Sequence, residues 1–101
     1  MRAFGADNVS AEDALVMVER AMTRGALLYN RGHPDACATV YAAVAQRILQ
    51  RTSELVGPVV TEKIREAIQQ AELVDNPSQR AWTLRRGLDE AHFTLEKIGR
   101  R

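Results

Sequence analysis

"RGALLYNRGHPDACATVYAAV", Arg24 to Val44, runs from one apolar-periodic segment into another through Gly-His-Pro-Asp. Gly32 supplies the left-handed residue that commonly ends a helix. Pro34 suits the first position of the next helix, where its missing N–H has no partner to lose. "NRGHPD" therefore reads as a helix–helix corner, and that reading sets the fold class for the rest of the chain.

Upstream of the corner, Ser10 with Asp13 three residues later resembles a capping box with Asp in place of Glu. Leu15, Val18, Met22, Ala26 and Tyr29 then recur at three- and four-residue steps, which predicts a first helix reaching about Asn30. Downstream, Cys37, Val40, Tyr41, Val44, Ile48 and Leu55 fall on one face of a second helix that stops at Gly57-Pro58. A third helix starts near Pro58 and carries Val60, Ile64, Ala67, Ile68 and Ala71. "DNPSQ" restarts the chain, with Asn76 as cap, Pro77 as first helical residue and Gln79 reaching back. The fourth helix has Ala81, Leu84, Leu88, Ala91, Leu95 and Ile98 on its stripe. Gly99 and two arginines end it, their charges suited to the negative end of a helix dipole.

Four helices joined by short corners predict an all-α, antiparallel up-and-down four-helix bundle over residues 10–101. Residues 1–9 read as a flexible N-terminal arm whose Phe4 tucks against the bundle. Gly25 and Gly87 sit inside helices, where each costs about 1 kcal/mol against Ala. Close approach of a neighbouring helix is the compensation expected at both.

A chain of 101 residues has room for one core. Its net charge of +1, with acids and bases interspersed, offers no basic stripe for a phosphate backbone, despite Arg85, Arg86, Arg100 and Arg101. Nucleic acid is therefore not the expected partner. A single cysteine excludes an internal disulfide and suits a reducing compartment. No apolar run is long enough for a bilayer, and "MRAFGADNV" lacks the apolar stretch of a signal peptide. The expected setting is cytoplasmic and off the membrane, unless a leader was removed ahead of Met1.

Two motifs invite chemistry. "HPDAC" puts His33 and Cys37 four residues apart, on one side of a helix and within reach of a shared ligand or metal ion. Cys37, near a helix N-terminus, could also have a lowered pKa. Against this, His33 sits at the cap, two ligands do not make a structural metal site, and the apolar stripe runs through Cys37 as it would through a buried core thiol. "DEAH", Asp89 to His92, spells a helicase motif, but it lies mid-helix and the chain has no phosphate-binding G-x-x-x-x-G-K-[ST]. Asp89 and His92 also echo the E-x-x-H of di-iron bundles, which need further inward carboxylates that the apolar stripes lack. No nucleophile has a motif-placed base and acid around it. Neither a metal, a cofactor nor an enzymatic activity is expected.

The residues off the stripes are more informative. At about 100° per residue, Trp82 and Phe93 share a side of the fourth helix well away from its leucines, flanked by Arg86, Asp89 and Lys97. Val16 and Leu27, also eleven apart, are turned from the main stripe of the first helix. Terminal helices are neighbours in an up-down bundle, so the two apolar spots adjoin. Coverage by the arm or simple exposure would account for them. A partner surface would too, because Trp and Phe are enriched at interface centres. The expected function is a non-enzymatic interaction or scaffold module whose partner is a second copy or another protein. The alternative is a bundle holding a small apolar ligand or metal near His33 and Cys37.

Residues 21–49 resemble a single tetratricopeptide hairpin. Gly25, Leu28, Gly32, Cys37 and Tyr41 fit that pattern, with Val44 in place of its usual Ala. Ala21, Arg24 and Leu49 stand where the family has Trp, Leu and Pro, and the pattern does not repeat after 34 residues. The resemblance implies a helical hairpin without a groove of stacked repeats. "RGALLYNRG" with "AWTLRRGLDEA" also resembles an uncharacterised family of small bacterial helical domains, which implies a fold and no function.

Overall fold

The computed structural model describes residues 10–51 and 57–99. They form four helices, α1 (Ala11–Asn30), α2 (Pro34–Arg51), α3 (Pro58–Glu72) and α4 (Pro77–Gly99), with no strand among the described residues. The architecture is an all-α, up-and-down four-helix bundle. Leu55, Phe4 and the arm before Ser10, all named in the sequence reading, lie outside the described residues.

Helix ends follow local chemistry. Ser10 Oγ accepts the Asp13 N–H at 3.1 Å and Asn76 Oδ1 accepts the Gln79 N–H at 3.0 Å, so both caps use backbone donors of the first turn. Proline opens α2, α3 and α4, at the position that needs no donor. The decisive corner is a Schellman motif: Gly32, at φ 87°, donates to the Tyr29 carbonyl at 3.0 Å, and His33 N–H donates to that of Leu28 at 2.9 Å. The His33 carbonyl then accepts the Cys37 N–H, so one residue ends α1 and begins α2. At the α3–α4 corner, Arg80 Nη2 donates to the Val74 and Asp75 carbonyls at 2.8 and 3.2 Å.

The helices do not form an even square. α4 packs against all three others, α2 and α4 meet across the diagonal, and α1 and α3 scarcely touch. The core contains the expected Leu84, Leu88, Ala91 and Leu95 of α4, Val60 and Ile64 of α3, and Cys37, Tyr41 and Ile48 of α2. Each fully buried Leu or Ile contributes about 1.5–3 kcal/mol through removal from water.

Two expectations shift. On α1 the expected Leu15 and Val18 are buried together with Ala14, Ala21 and Gly25, while Ala26 and Met22 are only partly buried. Gly25 is buried where the Tyr41 ring of α2 closes on α1. On α4, Ile98 follows the stripe in sequence but is 40% exposed.

Both helical glycines mark close approaches. A Cβ on Gly25 would overlap the Tyr41 ring, and one on Gly87 would overlap the Ala67 Cβ. Ala67 has no rotamer with which to withdraw, so relief at Gly87 requires moving α3. Gly87→Ala gains about 1 kcal/mol of helix propensity against about 1–3 kcal/mol of overpacking. The variant should unfold at lower urea concentration with an unchanged denaturant slope; a higher midpoint would show that the α3–α4 contact is looser than described.

Candidate functional site

Two features stand out, and Trp82 belongs to both. The first is the outer face of α1 and α4. Antiparallel register between these helices is fixed at two levels. Near the end of α1, the Tyr29 hydroxyl is hydrogen-bonded to Ser78 Oγ and accepts from Trp82 Nε1 at 3.1 Å. Near its middle, Glu19 Oε2 lies 3.0 Å from His92 Nε2. Leu27 is therefore level with Trp82, and Val16 with Phe93.

All four apolar residues are exposed: Val16 43%, Leu27 49%, Trp82 52% and Phe93 61%. Val16 and Leu27 point directly away from the core stripe of α1, as their spacing implies. Trp82 reaches α1 at Tyr29, and Phe93 shares the exposed face of α4 with it. The Trp82 ring meets Tyr29 edge-on, centroids 5.8 Å apart, and Lys97 Nζ stands 4.3 Å from the Phe93 ring centroid. Arg86 is exposed and has no hydrogen bond or ion pair with any described residue.

The second feature is a cavity of about 70 Å³ among α1, α2 and α4, lined by Tyr29, Cys37, Tyr41, Ala81, Trp82 and Arg85, among others. A polar chain runs along its wall. The Cys37 thiol is hydrogen-bonded to Tyr41, Arg85 Nη1 donates to Tyr41 Oη at 3.1 Å, and Arg85 Nε donates to Asp89 Oδ1 at 3.2 Å. Burial raises the Cys37 pKa, opposed by the Tyr41 bond and the Arg85 charge. The cost of burying a thiolate outweighs any acidification from its place near a helix N-terminus, as suits a core thiol. Burial and the bond to Cys37 likewise raise the Tyr41 pKa, against Arg85. Burial disfavours the Arg85 charge, but the bonds to Tyr41 and Asp89 outweigh it and hold that pKa above its ordinary value.

His33 does not join this wall. It is exposed on the corner while Cys37 is buried, because the Schellman turn commits the His33 backbone and leaves its ring in solvent. Among the described residues no group of three or more His, Cys, Asp or Glu side chains could hold a metal ion. None of their helices is long and apolar enough to cross a membrane. Arg85 and the Glu19–His92 pair are participants that periodicity does not single out, and the α1 stripe names Tyr29 without its polar partners on α4. Only the three-dimensional register brings them together. Gly25 and Tyr41, which carry part of the tetratricopeptide resemblance, do pack against each other. No family model, curated protein or solved structure matches the chain.

The Cys37 pKa lies above its ordinary 9.0. The folded chain therefore keeps a proton that the unfolded chain releases, so this contribution is complete below that pH and is lost as pH rises. Between roughly pH 8 and roughly pH 10 the urea midpoint should fall, and Cys37→Ala should fall less steeply. Equal slopes in the two proteins would assign the loss to other groups, Tyr41 among them.

Proposed function

We propose that the protein is a non-enzymatic helical interaction module that self-associates through the outer face of α1 and α4. The observation that carries this reading is the pair Trp82 and Phe93, 52% and 61% exposed on one side of α4. Large aromatics in that position leave apolar surface in water, and desolvating it is what drives association. Val16 and Leu27 extend the surface onto α1, and Arg86 contributes a charge with no described partner. The buried single thiol suits work in a reducing compartment such as the cytoplasm.

The cavity supports a second reading, a small, mostly apolar ligand held beside Cys37 with Arg85 and Tyr41 as polar contacts. It favours that over a metal ion bridging His33 and Cys37, because only the cysteine lines it. A copurifying small molecule, seen by native mass spectrometry and lost in Cys37→Phe, is what this reading requires.

For the leading reading, sedimentation velocity over a wide concentration range should show a dimer that dissociates on dilution. Trp82→Ala should weaken it by about 2 kcal/mol, the scale of an interface hot spot, with the helical circular dichroism retained. Unchanged assembly in a folded Trp82→Ala protein would remove this face from the interface.

A further inference from the structure

Resting on the self-association reading, we propose that the partner is a second copy in one register: α4 antiparallel on α4 and α1 antiparallel on α1, about a two-fold axis perpendicular to the helices.

On α4, Trp82, Arg86, Asp89 and Phe93 follow one another at four, three and four residues, the spacing of a coiled-coil seam. On α1, Val16, Arg20, Thr23 and Leu27 repeat the same spacing. Each set reads symmetrically about its midpoint, between Ala21 and Met22 on α1 and between Gly87 and Leu88 on α4. The contacts of Tyr29 with Trp82 and of Glu19 with His92 bring those two midpoints to nearly the same level. One axis can therefore pass through both, as a closed isologous dimer requires.

Under that operation Trp82 of each copy meets Phe93 of the other, and Val16 meets Leu27. Arg86 meets Asp89, twice. Asp89 already accepts from Arg85 at 3.2 Å, and a carboxylate has lone pairs left for a second cation. Arg86 gains the counter-charge it lacks among the described residues.

The competing arrangement has its axis parallel to the helices, with α1 of one copy on α4 of the other. It would oppose Arg86 to Thr23 and Asp89 to Arg20. It keeps one ion pair per copy but leaves Arg86 without a charge partner, so complementarity favours the perpendicular axis.

The two arrangements differ in a charge-reversal experiment. In the proposed register, Arg86→Glu sets a new carboxylate against Asp89 of the other copy, and Asp89→Arg sets a new guanidinium against Arg86. Each variant alone should lose homodimer affinity by about tenfold or more, since opposed like charges are strongly unfavourable. Mixing the two should restore dimerisation as a heterodimer, because like charges then face each other in neither pair: the two introduced groups meet as one ion pair, and the native Arg86 and Asp89 meet as the other. Sedimentation velocity of each variant and of the mixture, with circular dichroism confirming the fold, reads the result. An Arg86→Glu protein that homodimerises like the wild type overturns the register while leaving self-association intact. A wild-type chain that stays monomeric at every concentration overturns both.

Discussion

The contact between Tyr41 and Gly25 is the constraint on which the rest of this bundle depends. The Tyr41 ring occupies the place that any side chain at residue 25 would need, so with another residue there the ring or the two helices would have to shift. Because the ring lies buried against α1, its hydroxyl is carried to the wall shared with α4, where it meets Cys37 and Arg85. A tyrosine whose hydroxyl is buried needs partners, and these two supply them. The same close approach draws α2 toward the middle of the molecule, which fits the diagonal contact of α2 with α4 and the near absence of one between α1 and α3. The cavity is then the space left where three helices of unequal girth converge around Ala26, Ala81 and the aromatic rings.

Much of the fold is legible before any coordinates. The corner at residues 30–35 can be read because glycine and proline act through their own backbone limits, which tertiary packing does not override. The α4 stripe can be read because its leucines are large and regularly spaced. The α1 stripe is read less well. Periodicity weighs Leu15, Met22 and Tyr29 heavily and Ala14, Ala21 and Gly25 lightly, yet those three small residues are buried along with Leu15, while Met22 and Tyr29 are only partly covered. Ile98 also departs from its stripe, exposed although its spacing places it with the buried leucines.

The candidate site divides along the same line. The exposed positions of Trp82, Phe93, Val16 and Leu27 follow from angle alone, because an off-stripe residue on a helix has few places to go. The polar wall does not follow from angle. Arg85 and Asp89 are an i,i+4 pair within α4, but Tyr41 joins them through the relative height of α2 and α4, a quantity no single-helix pattern contains. His33 and Cys37 are the converse case: four residues apart in sequence, they are parted because one belongs to a turn and the other to a core.

Trp82 is the sole tryptophan of the chain, and it stands at the mouth of the cavity, beside Tyr29 and on the outer face at once. Its indole emission therefore originates at a single known point rather than as an average over several. Its edge-on contact with Tyr29 places a tyrosine donor 5.8 Å away, well inside the range for efficient energy transfer to the indole. The native protein thus carries a built-in optical probe at the junction of its two candidate surfaces, and a spectral change on filling the cavity or covering the face can be read without attaching a dye.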